Sequence, residues 1–321
     1  DFDQVVGQDA GIRAIQVAVA GGHNLIMVGP PGGGKTLLAS CVPSILPAMD
    51  EHEALEVTCI QSITGTVSPD GLASKRPFRR PHHTVSPAGM LGGGNPPMPG
   101  EVTLAHRGVL YLDEFCEFRP QVIESLRGPM EDGFIVVSRS HGRVSFPSRF
   151  MLIASANPCP CGYLGDPERA CVCQGASLMR YRRRLAGPVI DRIDIQIEVP
   201  RVRRIDLERP VAVLTSDAVR EEIERARARQ GGRFGRKGFT NSAIGPRQIE
   251  SVARLAPAAR RLLLDAVDKM ALSARAYHKL IRVSRTIADL NGADSVEDGH
   301  VLEALQYRAL DLQPQAMLSY G

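Results

Sequence analysis

Residues 29–36 read Gly-Pro-Pro-Gly-Gly-Gly-Lys-Thr and fit the pattern G-x-x-x-x-G-K-[ST] in full. Glycines in such a loop let successive backbone N–H groups turn inward around a phosphate, and the helix that follows adds its positive end. Lys35 has the reach for β and γ phosphates, and Thr36 offers a hydroxyl to Mg²⁺. The candidate nucleotide-binding stretch is therefore Pro31, Gly32, Gly33, Gly34, Lys35, Thr36 and Leu37. Seventy-seven residues beyond Thr36, Val109-Leu-Tyr-Leu-Asp-Glu114 ends an apolar run in two carboxylates. Asp113 suits the water shell of the Mg²⁺, and Glu114 suits polarisation of an attacking water. An Asp alone would serve binding, whereas Asp followed by Glu serves hydrolysis. Asn157, at the end of a third apolar run, is a candidate for orienting that water, although an Asn before Pro158 is also an ordinary turn residue. Directly behind it Cys159, Cys161, Cys171 and Cys173 form C-x-C-x₉-C-x-C. Four thiolates can close a tetrahedral Zn²⁺ site with no open position, which is structural and not catalytic.

These groups need a scaffold, and the pattern predicts one. Leu25–Val28, Val109–Leu112 and Phe150–Ala154 are short continuous apolar runs, as expected of strands buried on both faces of a parallel α/β sheet. Helical periodicity takes over at 217–229, 247–255, 258–290 with internal breaks, and 296–310. Ser295 opens an S-x-x-D variant of the capping box for the last helix, and Asn291-Gly292 stops the one before. A structureless loop as long as 61–107 is rare inside a domain, so this stretch is expected to contain an insertion with its own helix or hairpin. Residues 133–149 alternate as a hairpin does. The expected division is an α/β domain over 1–204, carrying the hairpin and the four-Cys loop 159–173, followed by a linker helix and α-helical lid over 205–321.

Composition narrows the class. The net charge of +4 hides an asymmetry: residues 1–160 carry 12 Lys+Arg against 15 Asp+Glu, and residues 161–321 carry 27 against 20. That surplus is too mild to specify a nucleic-acid partner. The sequence has no charged-then-apolar leader and no apolar run near the roughly 18 residues of a membrane span, so a soluble, cytoplasmic protein with no membrane partner is expected. Seven cysteines, three of them scattered at 41, 59 and 116 among apolar neighbours, argue against a disulfide framework. His82-His83 and Cys116 could join a metal site, but nothing in their spacing favours it.

Taken in order, GPPGGGKT, VLYLDE, IASANP, PVIDRIDI and SARAYHKLIR resemble the AAA+ ATPases over nearly the whole chain. The flanking wording, VVGQDAGIRAIQVAVAGGHNLIMVGPPGGGKT, FRRPHHTVSPAGMLGGG, ANPCPCGYLGD and RYRRRLAGPVIDRIDIQIEV, resembles the Mg chelatase-like ComM/YifB family. The resemblance implies a homo-hexameric ring with ATP sites between subunits and a role in DNA branch migration, in recombination of transformed bacteria. The family's N-terminal Lon protease-like domain has no counterpart in these residues. By the same resemblance Arg192 matches an arginine finger that reaches a neighbour's γ phosphate. Without the family, Arg192 reads as an exposed residue balancing Asp191 and Asp194. Arg275 matches the lid's sensor arginine, with Arg282 two turns on as the rival. Val6 and Gly7, before Gln8, match the segment that packs on adenine.

The resemblance also directs the hairpin and the insertion into the ring's pore. Arg139, His141 and Arg143 at the hairpin tip, with Lys75, Arg76, Arg79 and Arg80 beside Phe78, suit tracking of single-stranded or branched DNA by its phosphates. A solvated hairpin and a charged loop is the plainer alternative. Three functions follow: an ATP-hydrolysing DNA motor of helicase or branch-migration type, a chelatase-like motor that remodels a protein client, and a nucleotide switch with little turnover. Glu114 argues against the last, because a switch does not require a water-polarising carboxylate.

Overall fold

In chain order the elements of the computed structural model are α1 (Asp9–Gly21), β1 (Leu25–Val28), α2 (Lys35–Ile45), α3 (Glu51–Thr64), β2 (Phe78–Arg79), α4 (Pro87–Leu91), β3 (Gly92–Gly93), β4 (Met98–Pro99), α5 (Glu101–Leu104) and β5 (Val109–Leu112). There follow α6 (Pro120–Ser125), α7 (Arg127–Asp132), β6 (Phe134–Arg139), β7 (Gly142–Pro147), β8 (Met151–Ala156), α8 (Gly175–Arg184), β9 (Ile195–Glu198), α9 (Ser216–Phe234), α10 (Ile249–Ala253), α11 (Pro257–Lys269), α12 (Ala274–Leu290) and α13 (Asp298–Gln306). The structure describes residues 1–67, 69, 71–139, 142–202 and 214–308. His141, the linker residues 203–213 and residues 309–321 lie outside these, as does the side chain of Arg139.

Five strands form the main sheet in the order β2-β5-β8-β1-β9. Every residue of β1, β5 and β8 is buried, which is why these runs read as continuous apolar stretches and not as alternating ones. β5 runs parallel to both β2 and β8, with Val109 opposite Met151 and Leu112 opposite Ala154. This is the parallel α/β sheet that the sequence predicts. Two compact units emerge: Asp1–Ile26 with Ser40–Pro47 and Asp194–Gly321, and Met27–Ala39 with Ala48–Ile193.

In the second unit the stretch 61–107 holds a helix and an antiparallel ribbon of its own, while parts of it belong to other elements. Residues 61–64 complete α3, which opens on a capping box between Asp50 and Glu53, and Phe78–Arg79 is a strand of the main sheet. Only α4, the small β3–β4 ribbon and α5 stand apart from the sheet. The charge pattern in 75–80 conceals this, because a two-residue strand between prolines carries no periodicity to read. Arg76 pairs with Glu53, Arg79 makes a two-pronged bond to Glu101, and Arg80 pairs with Asp113. These arginines face carboxylates and do not form an unpartnered basic patch. β6 and β7 pair antiparallel over the full length of a hairpin, and Arg143 on β7 is exposed.

In the first unit α12 packs against α1, α9, α10 and α13. The last helix starts later than the sequence suggests, and Ser295 is not its cap. Val296 N–H is bonded to the Arg254 carbonyl and its own carbonyl accepts from Ala256, so Val296 is held in a bridge and cannot begin a helix. The cap is Glu297, which exchanges bonds with the backbone and ring of His300. Likewise 247–255 yields only the short α10, ended by Arg254 at φ +51°. The Asn291-Gly292 stop is present, with Gly292 at φ +73°. Among the described residues, no helix is long and apolar enough to cross a membrane.

The core of this unit carries a charge. Arg285 is fully buried, donating to the carbonyls of Ala253 and Asp294 at 3.2 and 2.9 Å and pairing with Asp289 at 2.9 Å, while Arg233 reaches the other Asp289 oxygen at 3.0 Å. Removing one partner would strand the others without water, so Arg285→Ala is expected to destabilise the chain by about 3–5 kcal/mol in denaturant unfolding.

Candidate functional site

The glycine-rich loop leaves β1 and turns straight into α2, with Gly32 at φ +78° and Gly34 at φ +84°. A side chain at either position would be strained, which accounts for glycine there. A Cβ placed on Gly32 would meet nothing within 4 Å, so it is the backbone conformation and not crowding that calls for glycine there. The loop's base is tied to β8 by a bond from Gly29 N–H to the Ala156 carbonyl, 3.1 Å. Lys35 Nζ donates to the Gly29 carbonyl at 2.7 Å, the Pro30 carbonyl at 2.9 Å and Asn157 Oδ1 at 3.3 Å. Burial lowers the Lys35 ammonium to about 8, against the pull of Asp113 and Glu114. An amine held among carbonyls in this way is ready to exchange them for phosphate oxygens.

The register of β5 against β8 builds the acidic half. With Leu112 opposite Ala154, Asp113 lies beside Ser155, whose hydroxyl donates to Asp113 Oδ1 at 2.5 Å. Tyr111 donates to the same oxygen at 2.8 Å, and Thr36 donates to Oδ2 at 3.4 Å. Burial raises the Asp113 carboxyl, but the bonds from Ser155 and Tyr111 and the charge of Arg80 outweigh it and hold the carboxyl below its ordinary range. Asp113 is thus kept ionised, with Oδ2 turned toward the Thr36 hydroxyl. Two hard oxygen ligands facing each other across 3.4 Å fit a hydrated Mg²⁺. Glu114 sits in the left-handed region at φ +54°, its N–H bonded to Ser155 Oγ at 3.2 Å and its side chain exposed. Such a backbone conformation is uncommon for a non-glycine residue and is found where function over-determines geometry. Tyr111 and Ser155 were missed in the sequence. Their only signal was a hydroxyl interrupting each of two otherwise apolar strands.

The structure brings together Lys35, Thr36, Asp113, Glu114 and Asn157. Arg192 belongs to the same unit, but it is buried and not exposed. Its side chain is 7% exposed, donates to the Pro188 carbonyl at 2.7 Å and forms an ion pair with Glu131 at the end of α7. Asp194 instead meets buried His23, 3.7 Å away, in the first unit. Val6, Gly7 and Arg275 also belong to the first unit: Gly7 has φ +70°, and Arg275 is exposed in the first turn of α12. Arg282 is half-buried there and donates to the Ile244 carbonyl at 2.9 Å.

The four cysteines converge. All four Sγ atoms lie within 4.8 Å of one another, and the Cys159–Cys161, Cys161–Cys171 and Cys159–Cys171 separations are 3.4, 3.6 and 3.7 Å. A tetrahedron with Zn–S bonds of about 2.3 Å places its sulfurs about 3.8 Å apart, so the cluster has the dimensions of a metal site. The Cys161 N–H donates to Cys173 Sγ at 3.3 Å, the kind of outer bond that steadies a thiolate ligand. The Tyr163 backbone N–H holds Cys161 down at about 6. The His82 and His83 rings meet at a tilt, their centroids 4.1 Å apart, and buried Cys116 stands apart from the cluster beside Tyr181. The cluster also touches the phosphate loop: a Cβ on Gly162, at φ +85°, would fall 2.5 Å from Pro31 Cδ and 3.8 Å from Asn157 Cγ.

The family described as Magnesium chelatase, subunit ChlI, matches residues 1–207, and that described as Magnesium chelatase, subunit ChlI C-terminal, matches residues 214–308. The chain is 41% identical over 312 residues to Competence protein ComM of Haemophilus influenzae, covering 97% of this chain and 60% of that protein. It is 40% identical over 313 residues to the protein YifB of Escherichia coli, covering 97% and 61%. Similarity to the Magnesium-chelatase 38 kDa subunit of Acidiphilium rubrum is weaker, 24% identity, but extends over 94% of this chain and 87% of that one. The chain spans about three fifths of the length of the ComM and YifB relatives it matches.

Proposed function

Because this chain belongs to the Mg chelatase-like family of AAA+ ATPases, we propose that it hydrolyses ATP with Mg²⁺ as a homo-hexameric DNA motor, of helicase or branch-migration type, in recombination and natural transformation. The observation that carries hydrolysis is the joint placement of Lys35, Thr36, Asp113, Glu114 and Asn157 in one unit. In that reading the loop N–H groups and Lys35 hold the β and γ phosphates, while Thr36 and Asp113 hold the Mg²⁺, which neutralises developing charge when bound. Exposed Glu114 accepts a proton from the attacking water, and Asn157, already bonded to Lys35, positions it. Lys35→Ala is expected to weaken nucleotide binding by about 100-fold, the worth of a charged hydrogen bond in a partly buried site. Equilibrium binding of a fluorescent ADP analogue checks this.

Support for DNA as the client is the name Competence protein ComM of one relative, exposed Arg143 on the hairpin, and exposed Arg180, Arg183 and Arg184 on α8. Those three lie at helical spacing on one face, a geometry suited to backbone phosphates. The competing client is a protein, as the resemblance to a magnesium-chelatase subunit suggests. The deciding experiment is ATPase activity with and without single-stranded, duplex and branched DNA, alongside mass measurement in ATP. Stimulation by DNA in a hexameric species supports the motor. An ATPase rate indifferent to every DNA moves the reading to a protein client.

In the same proposal Cys159, Cys161, Cys171 and Cys173 hold one structural Zn²⁺, fixing a loop that has few apolar residues to pack. Metal analysis of protein purified without chelator is expected to find about one zinc per chain, and Cys171→Ser or Cys173→Ser is expected to lose it.

A further inference from the structure

The segment just after β2 was expected to track a ligand elsewhere, yet two of its side chains lie on the acidic pair. Arg80 forms an ion pair with Asp113 Oδ2, the oxygen that also receives the Thr36 hydroxyl. His83 Nδ1 is 4.0 Å from Glu114 Oε2. The Arg80 guanidinium is braced over the Tyr111 ring, 5.4 Å from its centroid, and the Tyr111 hydroxyl in turn holds Asp113 Oδ1. Oδ1 is thus committed to Tyr111 and Ser155, and Oδ2 is the oxygen facing Thr36 that a cation can use. In this structure the cation on it is a guanidinium.

Asp113 Oδ2 accepts from Thr36 Oγ1 at 3.4 Å and is also paired with the Arg80 guanidinium, so a hydrated Mg²⁺ that binds at this oxygen meets the Arg80 charge and competes with it. We propose that Arg80 is a displaceable stand-in for the metal: it holds Asp113 Oδ2 while the nucleotide site is empty and is evicted when Mg²⁺ arrives with the nucleotide. The inference rests on the reading of Thr36 and Asp113 as the Mg²⁺ side of the site. Arg80 is thereby a positioning residue that sets the Mg²⁺ concentration at which the site fills. An ion pair as exposed as this one, with Arg80 48% accessible, is weak enough to be displaced and strong enough to compete. Eviction also frees Arg80 from Asp113, so loading of the site reaches the segment that leads into α4.

The test is a Mg²⁺ titration of fluorescent ADP binding to the full chain, for wild type, Arg80→Ala, Arg80→Gln and His83→Ala. Both Arg80 variants are expected to reach half-saturation at about three- to fivefold lower Mg²⁺, the scale of a surface ion pair. A gain of this kind is not produced by damage to the fold. His83→Ala, which leaves the Arg80 pair intact, is expected to keep the wild-type midpoint. Midpoints unchanged or raised in either Arg80 variant overturn the inference, as does the same gain in His83→Ala. If wild-type binding itself ignores Mg²⁺, the underlying assignment of Thr36 and Asp113 fails, and the inference falls with it.

Discussion

Arg192→Ala is expected to lower ATP turnover by roughly 10³–10⁵-fold while leaving nucleotide binding near wild type, the effect of removing an arginine finger. The expectation rests on the AAA+ resemblance of Asp191-Arg-Ile-Asp194 together with the short helical turn Ile190–Arg192 that presents it. In this structure the guanidinium is buried against Glu131 and the Pro188 carbonyl of its own chain. To act in trans it must exchange Glu131 for a neighbour's γ phosphate, and a delocalised, weakly hydrated guanidinium is the cation best suited to such an exchange. Steady-state turnover and ADP-analogue binding, measured on the same preparation, separate loss of chemistry from loss of affinity. Mixing Arg192→Ala with Lys35→Ala subunits should restore part of the activity, because an intact lysine site can then face an intact arginine. Full turnover by Arg192→Ala, or by wild-type protein held monomeric, removes the residue from the reaction.

Glu114→Gln carries the second large effect, a loss of about 10²–10⁴-fold in turnover, the usual contribution of a positioned general base. Glutamine keeps the size and the hydrogen-bonding reach of the side chain but cannot accept the proton. The backbone at φ +54° and the bond from Glu114 N–H to Ser155 are untouched by the change, so the site keeps its shape. ATP should therefore accumulate on the variant unhydrolysed, and assembly in ATP should persist. Quantifying bound nucleotide after incubation reads this directly: ADP recovered at the wild-type rate would assign the base elsewhere.

The two halves of the site differ in how they could be read. The loop 29–36 works through consecutive backbone groups between a strand and a helix, so its pattern is local and visible. The identity of Asp113 and Glu114 was equally plain at the end of an apolar run. What holds Asp113 was not, because Ser155 comes from another strand and arrives only through the β5–β8 register. Arg80 shows the same limit from the other side. Grouped with Lys75, Arg76 and Arg79 it looked like a basic stretch for phosphate tracking, but β2 and its neighbours deliver three of those arginines to Asp113, Glu101 and Glu53. Charge is a property of the residue, whereas its partner is a property of the fold. The start of α13 turned on a similar point: Ser295 offers a good local cap, and the bridge from Val296 to Leu255 overrules it.

From sequence alone came the buried parallel strands, the phosphate loop, the carboxylate pair and the spacing of four thiols, since each is written in neighbouring residues whose geometry follows from bonded constraints and short-range periodicity. Only the folded chain decided that four sulfurs meet within 4.8 Å, that Arg192 lies against Glu131, and that Arg80 rests on the Asp113 oxygen that faces Thr36. Between the two cysteine pairs, and in the two ion pairs, the partners are from 10 to 61 positions apart, set in each case by how strands, helices and loops pack, and no local preference encodes a partner that distant.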